Sequence, residues 1–305
     1  MSSKWRNSNT KNFSIRELEK FSGVKAHTLR IWERRYAMLQ PQRSAGNIRM
    51  YPLEELKRLL QVAVLNRHGY RISQIFKMDE GAINVSLQLL DNNTALMEKA
   101  LADLTVGMYA GESEKIIQLL NKLLKDWSLE VMVENIIYPF LHNTSLLWVG
   151  NKLYEEHIAV TAIRQKLQYA IERLQPSTNN ATTILLFLTD TRQLDLGLLY
   201  CHYLFKRNGC KVLYLGNDIT LSNLKSALEF NSFTHVFTYL KNPTQSNVDE
   251  LLSVIQTYST GSILVIGDYH FPPSSQVTGN NILKLPFTQA LHAILNCHQQ
   301  VLGAH

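Results

Sequence analysis

Cysteine is scarce in this chain: three residues in 305, Cys201, Cys210 and Cys297. They are too few and too scattered for a disulfide framework or a thiolate zinc site, which fits a reducing compartment. Proline (8) and glycine (14) are also sparse and no low-complexity tract occurs, so wholesale disorder is excluded. No stretch approaches the roughly 18 uninterrupted apolar residues of a membrane span, and MSSKWRNSNTKNF at the start has no apolar run resembling a signal peptide. The expected location is the cytoplasm. Catalytic signatures are missing too: no GxGxxG, no phosphate-loop lysine motif, no His-x-x-x-His pair and no Gly-x-Ser-x-Gly elbow. Asp190, Arg192 and Asp195 share one expected strand-end loop, where an acid/base pair could sit, but charged groups in a polar surface loop are the commoner outcome. No enzyme, catalytic residue or metal ligand is predicted.

What is present is an ordinary globular composition, 45% apolar and 18% charged, with length for two or three domains. The net charge of +6 is unevenly spread: residues 1–80 hold 16 Lys+Arg against 7 Asp+Glu, a balance of +9, while residues 81–305 hold 15 against 18, or −3. A basic head on a slightly acidic body suggests an anionic partner at one end, either nucleic acid or a membrane surface. The arrangement of the charges decides between them.

Ser14 followed by Glu17 is a capping box opening a helix with Ile15, Leu18 and Phe21 on one face. Ser22-Gly23-Val24 breaks the pattern, and Gly23 can take the positive φ of a sharp turn. In the second helix Leu29 and Trp32 face inward, which leaves Lys25, His27, Thr28, Arg30, Arg34 and Arg35 for solvent or a partner. Pro41 stops that helix. A turn at Ala45-Gly46-Asn47 between Arg43 and Arg49 predicts a β-hairpin wing, followed by Tyr51-Pro52 and a helix over roughly 53–66, with a short helix after a break at 69–73.

Phe13-Ser14-Ile15, Ser22-Gly23-Val24, Thr28-Leu29-Arg30, Trp32-Glu33-Arg34-Arg35-Tyr36, Pro41-x-Arg43, Asn47-x-Arg49-x-Tyr51 and Gly69-Tyr70-Arg71-Ile72-Ser73 together resemble the MerR-type winged-helix transcription regulators. The Thr-Leu-Arg-Ile-Trp-Glu-Arg-Arg-Tyr wording is similar to the branch that includes light- and cobalamin-responsive repressors. The resemblance implies contacts to double-stranded DNA from Lys25, His27, Thr28, Arg30 and Arg34 on the recognition helix and from Arg43, Asn47, Arg49 and Tyr51 on the wing. For each, a phosphate contact or a solvated or core position is the alternative to base reading; Trp32 reads as core.

From 83 to 175 apolar residues recur at helical spacing, including Leu87, Leu89, Leu90, Leu96 and Leu101, then Ile116, Leu120 and Leu123. With a third helix over 127–147, kinked near Pro139, and a fourth over 155–174, they predict a four-helix bundle. Trp148, Gly150, Glu156 and His157 resemble the cap of cobalamin-binding modules, where such residues cover the upper corrin face. The spacing from Trp148 to His157 is one or two residues shorter than in cofactor-binding versions, and core or helix-start roles are the alternatives.

After the polar linker 175–180, short apolar runs at 183–188, 211–215, 234–239, 262–266 and near 282–285 alternate with helical segments at 196–208, 221–230, 247–258 and 287–301. That alternation predicts a doubly wound parallel sheet. Leu196-Gly197-Leu198, Asn208-Gly209-Cys210 and Tyr214-Leu215-Gly216 resemble the cobalamin-binding Rossmann-like domain. That family carries an Asp/Glu-x-His-x-x-Gly loop whose His ligates cobalt. Counted back from Gly197, the His position holds Leu194 and the acid position Arg192. Tyr239, and Ile266-Gly267-Asp268-Tyr269 in place of a Gly-Gly turn, would crowd a nucleotide loop.

The predicted organisation is a winged-helix DNA-binding domain at 1–80, a cap-like four-helix bundle at 83–175 and a Rossmann-like domain at 181–305. The predicted function is a cytoplasmic, homodimeric or tetrameric transcription regulator whose last domain senses a ligand or oligomerises, without histidine-ligated cobalamin. Trp148, Glu156, His157, Asp190, Gly197, Gly216 and Gly267 are its candidate ligand residues. A regulator that does bind cobalamin is the alternative; a cobalamin-related enzyme is a weaker one.

Overall fold

The structure is a computed structural model and describes residues 11–43, 46–144, 154–175, 182–189, 195–240, 245–258, 262–267 and 282–285. The chain divides into two compact units, residues 1–163 and 164–305.

The first unit opens with β1 (Asn12–Phe13) and α1 (Ile15–Ser22). The Ser14 hydroxyl accepts from the Glu17 N–H while the Glu17 carboxylate accepts from the Ser14 N–H at 2.7 Å, the capping box in full. Gly23, at φ +70°, closes α1 by donating to the Glu19 carbonyl. The chain turns there into α2 (Ala26–Tyr36), then through β2 (Gln42–Arg43) and β3 (Arg49–Pro52) into α3 (Leu53–Arg67), α4 (Ile72–Ile75) and α5 (Glu80–Gln88). Strands pair antiparallel in the order β1-β3-β2. Leu18, Leu29, Trp32, Tyr51, Leu56 and Leu59 are buried in one cluster that continues through Ile83, Leu87, Leu90 and Ala102. Leu87 therefore lies in α5, Leu90 in the turn after it, and both pack into the core of the head. This corrects their assignment to the first bundle helix: the Asn92 cap, accepting from the Ala95 N–H at 2.8 Å, starts a separate helix after them.

That helix is α6 (Asn93–Tyr109), followed by α7 (Ser113–Asp126), α8 (Leu129–Met132), a π-turn (Val133–Ile137), α9 (Tyr138–Asn143) and α10 (Tyr154–Glu172). Pro139 has no N–H to return to the turn before it, and the helix widens there: the Tyr138 N–H reaches back five residues to the Val133 carbonyl. The expected irregularity near Pro139 is this π-turn. Ile116, Leu120, Met132, Ile136 and Phe140 are buried along these helices.

In the second unit β4 (Thr183–Phe187), β5 (Lys211–Gly216), β6 (His235–Leu240), β7 (Ser262–Gly267) and β8 (Ile282–Leu285) form a five-stranded, all-parallel sheet in the order β5-β4-β6-β7-β8. The crossovers are α11 (Leu196–Arg207), α12 (Leu221–Phe230) and α13 (Gln245–Tyr258). Ile184, Leu185, Leu186 and Phe187 are all buried, as a central strand covered on both faces requires. Leu185 and Phe187 pack with Leu224, Leu228, Leu252 and Ile255 of α12 and α13. On the other face Phe237 meets Phe205 of α11 edge to face at 5.7 Å. This is a doubly wound fold whose strand order reverses between β4 and β6, where such folds bind ligands. The helix expected over 287–301 lies outside the described residues.

Candidate nucleic-acid interface

α2 divides cleanly by side. Leu29 and Trp32 point into the core, and the positions off that face leave His27, Arg30, Arg34 and Arg35 exposed, with Thr28 half-buried. The Thr28 hydroxyl lies 3.2 Å from His27 Nε2. No side chain caps the start of the helix at Lys25, so its first N–H groups and positive dipole end have no side-chain acceptor there. Lys25 is largely exposed and meets Glu19 at 3.4 Å, a surface pair worth little in energy.

The wing places Arg43 directly opposite Arg49 across the β2–β3 ladder. Like charges in that position repel. Two contacts relieve them: Arg43 donates to the Asn47 side chain, whose backbone takes the positive φ of the turn (+59°), and Arg49 Nε donates to Glu33 Oε1 at 3.2 Å. The other oxygen of Glu33 accepts from the Tyr51 hydroxyl at 3.0 Å. Burial, followed by this bond and the Glu33 charge, pushes the Tyr51 phenol up to about 12. Tyr51 is fully buried, so its side chain does not lie on the wing surface; it reaches that face only through Glu33. Exposed residues of the expected contact set, His27, Arg30, Arg34, Arg43, Asn47 and Arg49, thus come from one helix and one hairpin locked together by a carboxylate.

Glu33 is the residue that sequence reasoning missed. In the sequence it stands beside Arg34, and nothing in its local spacing announces partners 16 and 18 residues away.

Of the expected ligand residues, Trp148 and Asp190 lie outside the described residues, as do Arg192, Leu194 and Tyr269, and the side chain of Tyr239 is likewise not described. Glu156 is half-buried and His157 exposed in the first turn of α10. Gly197 is in the first turn of α11, Gly216 ends β5 at φ +87° with its carbonyl accepting from the Leu188 N–H, and Gly267 ends β7. Near the carboxyl ends of β4 and β5 the structure instead gathers Asp195 between Arg164, at 2.5 Å, and the Tyr214 hydroxyl, at 3.1 Å. The His202 ring stacks on Tyr214 at 5.3 Å. Burial, with Lys206 nearby, lowers the His202 imidazole to about 4, and burial together with Asp195 raises the Tyr214 phenol. Among the described residues no group of three His, Cys, Asp or Glu side chains is placed to hold a metal ion, and no helix is long and apolar enough to cross a membrane.

Residues 13–81 match the MerR HTH family of regulatory proteins. Over 215 residues, 70% of this chain and 71% of the relative, the sequence is 26% identical to the HTH-type transcriptional repressor CarA of Myxococcus xanthus. The monomethylamine corrinoid protein of Methanosarcina barkeri superposes with a TM-score of 0.50 at 10% identity, covering 66% of this chain and 99% of that one, a likeness of fold alone. The chain is a DNA-binding transcription regulator, with a MerR HTH domain at residues 13–81 and a corrinoid-protein-like fold over much of its remaining length.

Proposed function

We propose that the protein acts in the cytoplasm as a homodimer or higher oligomer on a palindromic operator, α2 lying in the major groove and the wing gripping the flanking backbone. The observation that carries this reading is the Glu33 bridge, which fixes Arg49 relative to Arg30 and Arg34 so that helix and wing present their cations as one rigid surface. Lys25, His27, Thr28, Arg30 and Arg34 supply the helix contacts, Arg43, Asn47 and Arg49 the wing contacts, and Tyr51 supports them from beneath. A two-fold partner is needed because one short helix and one hairpin cover only a half-site. Repression, the role named for the Myxococcus relative, is the sign of regulation this reading adopts.

The test is a titration of the full chain against an operator selected from random duplexes. Arg30→Ala and Arg49→Ala should each weaken binding at least ten-fold and lower the salt slope by about 1 per lost phosphate contact. Unchanged affinity and slope in both variants would remove these residues from the interface.

The second half serves on this reading as a sensor or oligomerisation module rather than an enzyme. A histidine-ligated cobalamin does not fit it. Leu194, at the ligand position the resemblance marks, has no lone pair, and His202, the imidazole on α11, is half-buried and stacked on Tyr214. Asp195, which could have oriented a ligand, is occupied by Arg164 and Tyr214. Desalting the protein after incubation with adenosylcobalamin or methylcobalamin should leave no corrin absorbance. Retained absorbance would favour the alternative, a corrin held without that histidine, for which the corrinoid-protein fold is the supporting observation.

A further inference from the structure

Among the cations of α2 sits a residue that the contact set leaves out. Ile31 is 37% exposed, two residues from Leu29 and on the opposite side of the helix, since each residue turns the helix by about 100°. Its neighbours one turn away are His27, Thr28, Arg34 and Arg35, all polar and none of them buried. A core role is closed to it because Leu29 and Trp32 hold the inward positions.

Resting on the operator-binding reading above, we propose that Ile31 is a specificity residue that reads the 5-methyl group of a thymine in the major groove. Thymine alone among the four bases shows an apolar group on that edge, and apolar side chains are what contact it. Ile31 is chemically suited to that contact, because a β-branched side chain in a helix is held largely in one χ1 rotamer and presents its methyl surface without further ordering on binding. The surrounding arginines and His27 fix the depth and register of the helix through phosphates, contacts that carry no base information. Ile31 supplies a contact that a cationic face cannot make.

The experiment uses the full chain and its selected operator, with each thymine of a half-site replaced in turn by deoxyuridine, which deletes only the methyl. At one thymine per half-site wild-type binding should weaken about four-fold, the equivalent of about 0.8 kcal/mol for one apolar carbon withdrawn from contact. Ile31→Ala, at an exposed site where alanine favours the helix, should bind the thymine operator more weakly by a similar factor and lose the thymine preference there; Ile31→Val should keep it. The proposal is overturned if no thymine responds, or if Ile31→Ala retains the same uridine penalty as wild type while still binding the operator specifically. A wild-type chain that enriches no sequence at all would instead sink the operator-binding reading, and the methyl contact with it.

Discussion

Glu33 and Arg49 lie 16 residues apart in sequence and 3.2 Å apart in space, and their bond is what ties the wing to the recognition helix. Glu33 is 18% exposed and also serves the buried Tyr51 hydroxyl. Glu33→Ala should lower stability by about 1–3 kcal/mol, because it strands that hydroxyl, and should weaken operator binding. Glu33→Gln retains an acceptor for Tyr51 but loses the charge on Arg49. It is therefore expected to recover most of the stability and little of the affinity, which paired denaturation and binding titrations would separate.

Gly23 makes the turn between α1 and α2 at φ +70°. A Cβ there has room, its nearest neighbour being an Arg67 nitrogen at 3.8 Å, so the cost of Gly23→Ala is conformational: about 1–2 kcal/mol for placing an L-residue in the left-handed region. The denaturant midpoint of the variant should fall with little change in slope. An unchanged midpoint would show that the turn does not need this conformation.

Asp195 holds Arg164 and Tyr214 together. In Asp195→Ala both partners lose their acceptor, and destabilisation of about 1–3 kcal/mol is expected, the arginine being screened in part by its 35% exposure. Faster amide exchange in α11 and β5, with no loss of protection in α1 and α2, would place the damage in the second unit.

His202 sets a pH dependence. Its imidazole titrates at about 4 in the folded protein against an ordinary 6.5. At pH 7 the folded imidazole is neutral and the unfolded one mostly so, and the penalty is small. As pH falls below 6.5 the unfolded chain takes a proton the folded one refuses, so stability declines until the folded site itself titrates near 4. The slope is at most about 1.4 kcal/mol per pH unit. His202→Phe, which keeps a ring on Tyr214, should flatten that part of the stability profile, measured by urea unfolding between pH 7 and 5.

The features legible in the sequence are those whose cause is local. Ser14 and Glu17 stand three apart and cap α1; Gly23 sits where the turn demands it; the run 183–187 is apolar because a central parallel strand is covered on both faces. What escaped depends on partners distant along the chain. Glu33 gains its role from β3, Tyr51 loses its surface place to the same contact, and Leu87 and Leu90 join the head because α5 folds back on α3, which no helical period reveals. The Arg164–Asp195–Tyr214 cluster likewise joins three separate elements.

The pairings of the two sheets also set an order of events as the chain folds. In the wing Arg43 finds Arg49 across a loop of a few residues, whereas β4 must wait for Lys211 to reach Thr183 and for His235 to reach Ile184. Closing the longer loops costs more chain entropy before any contact repays it, and low contact order folds fast. The β2–β3 hairpin of the wing is therefore expected to close before the parallel sheet is assembled.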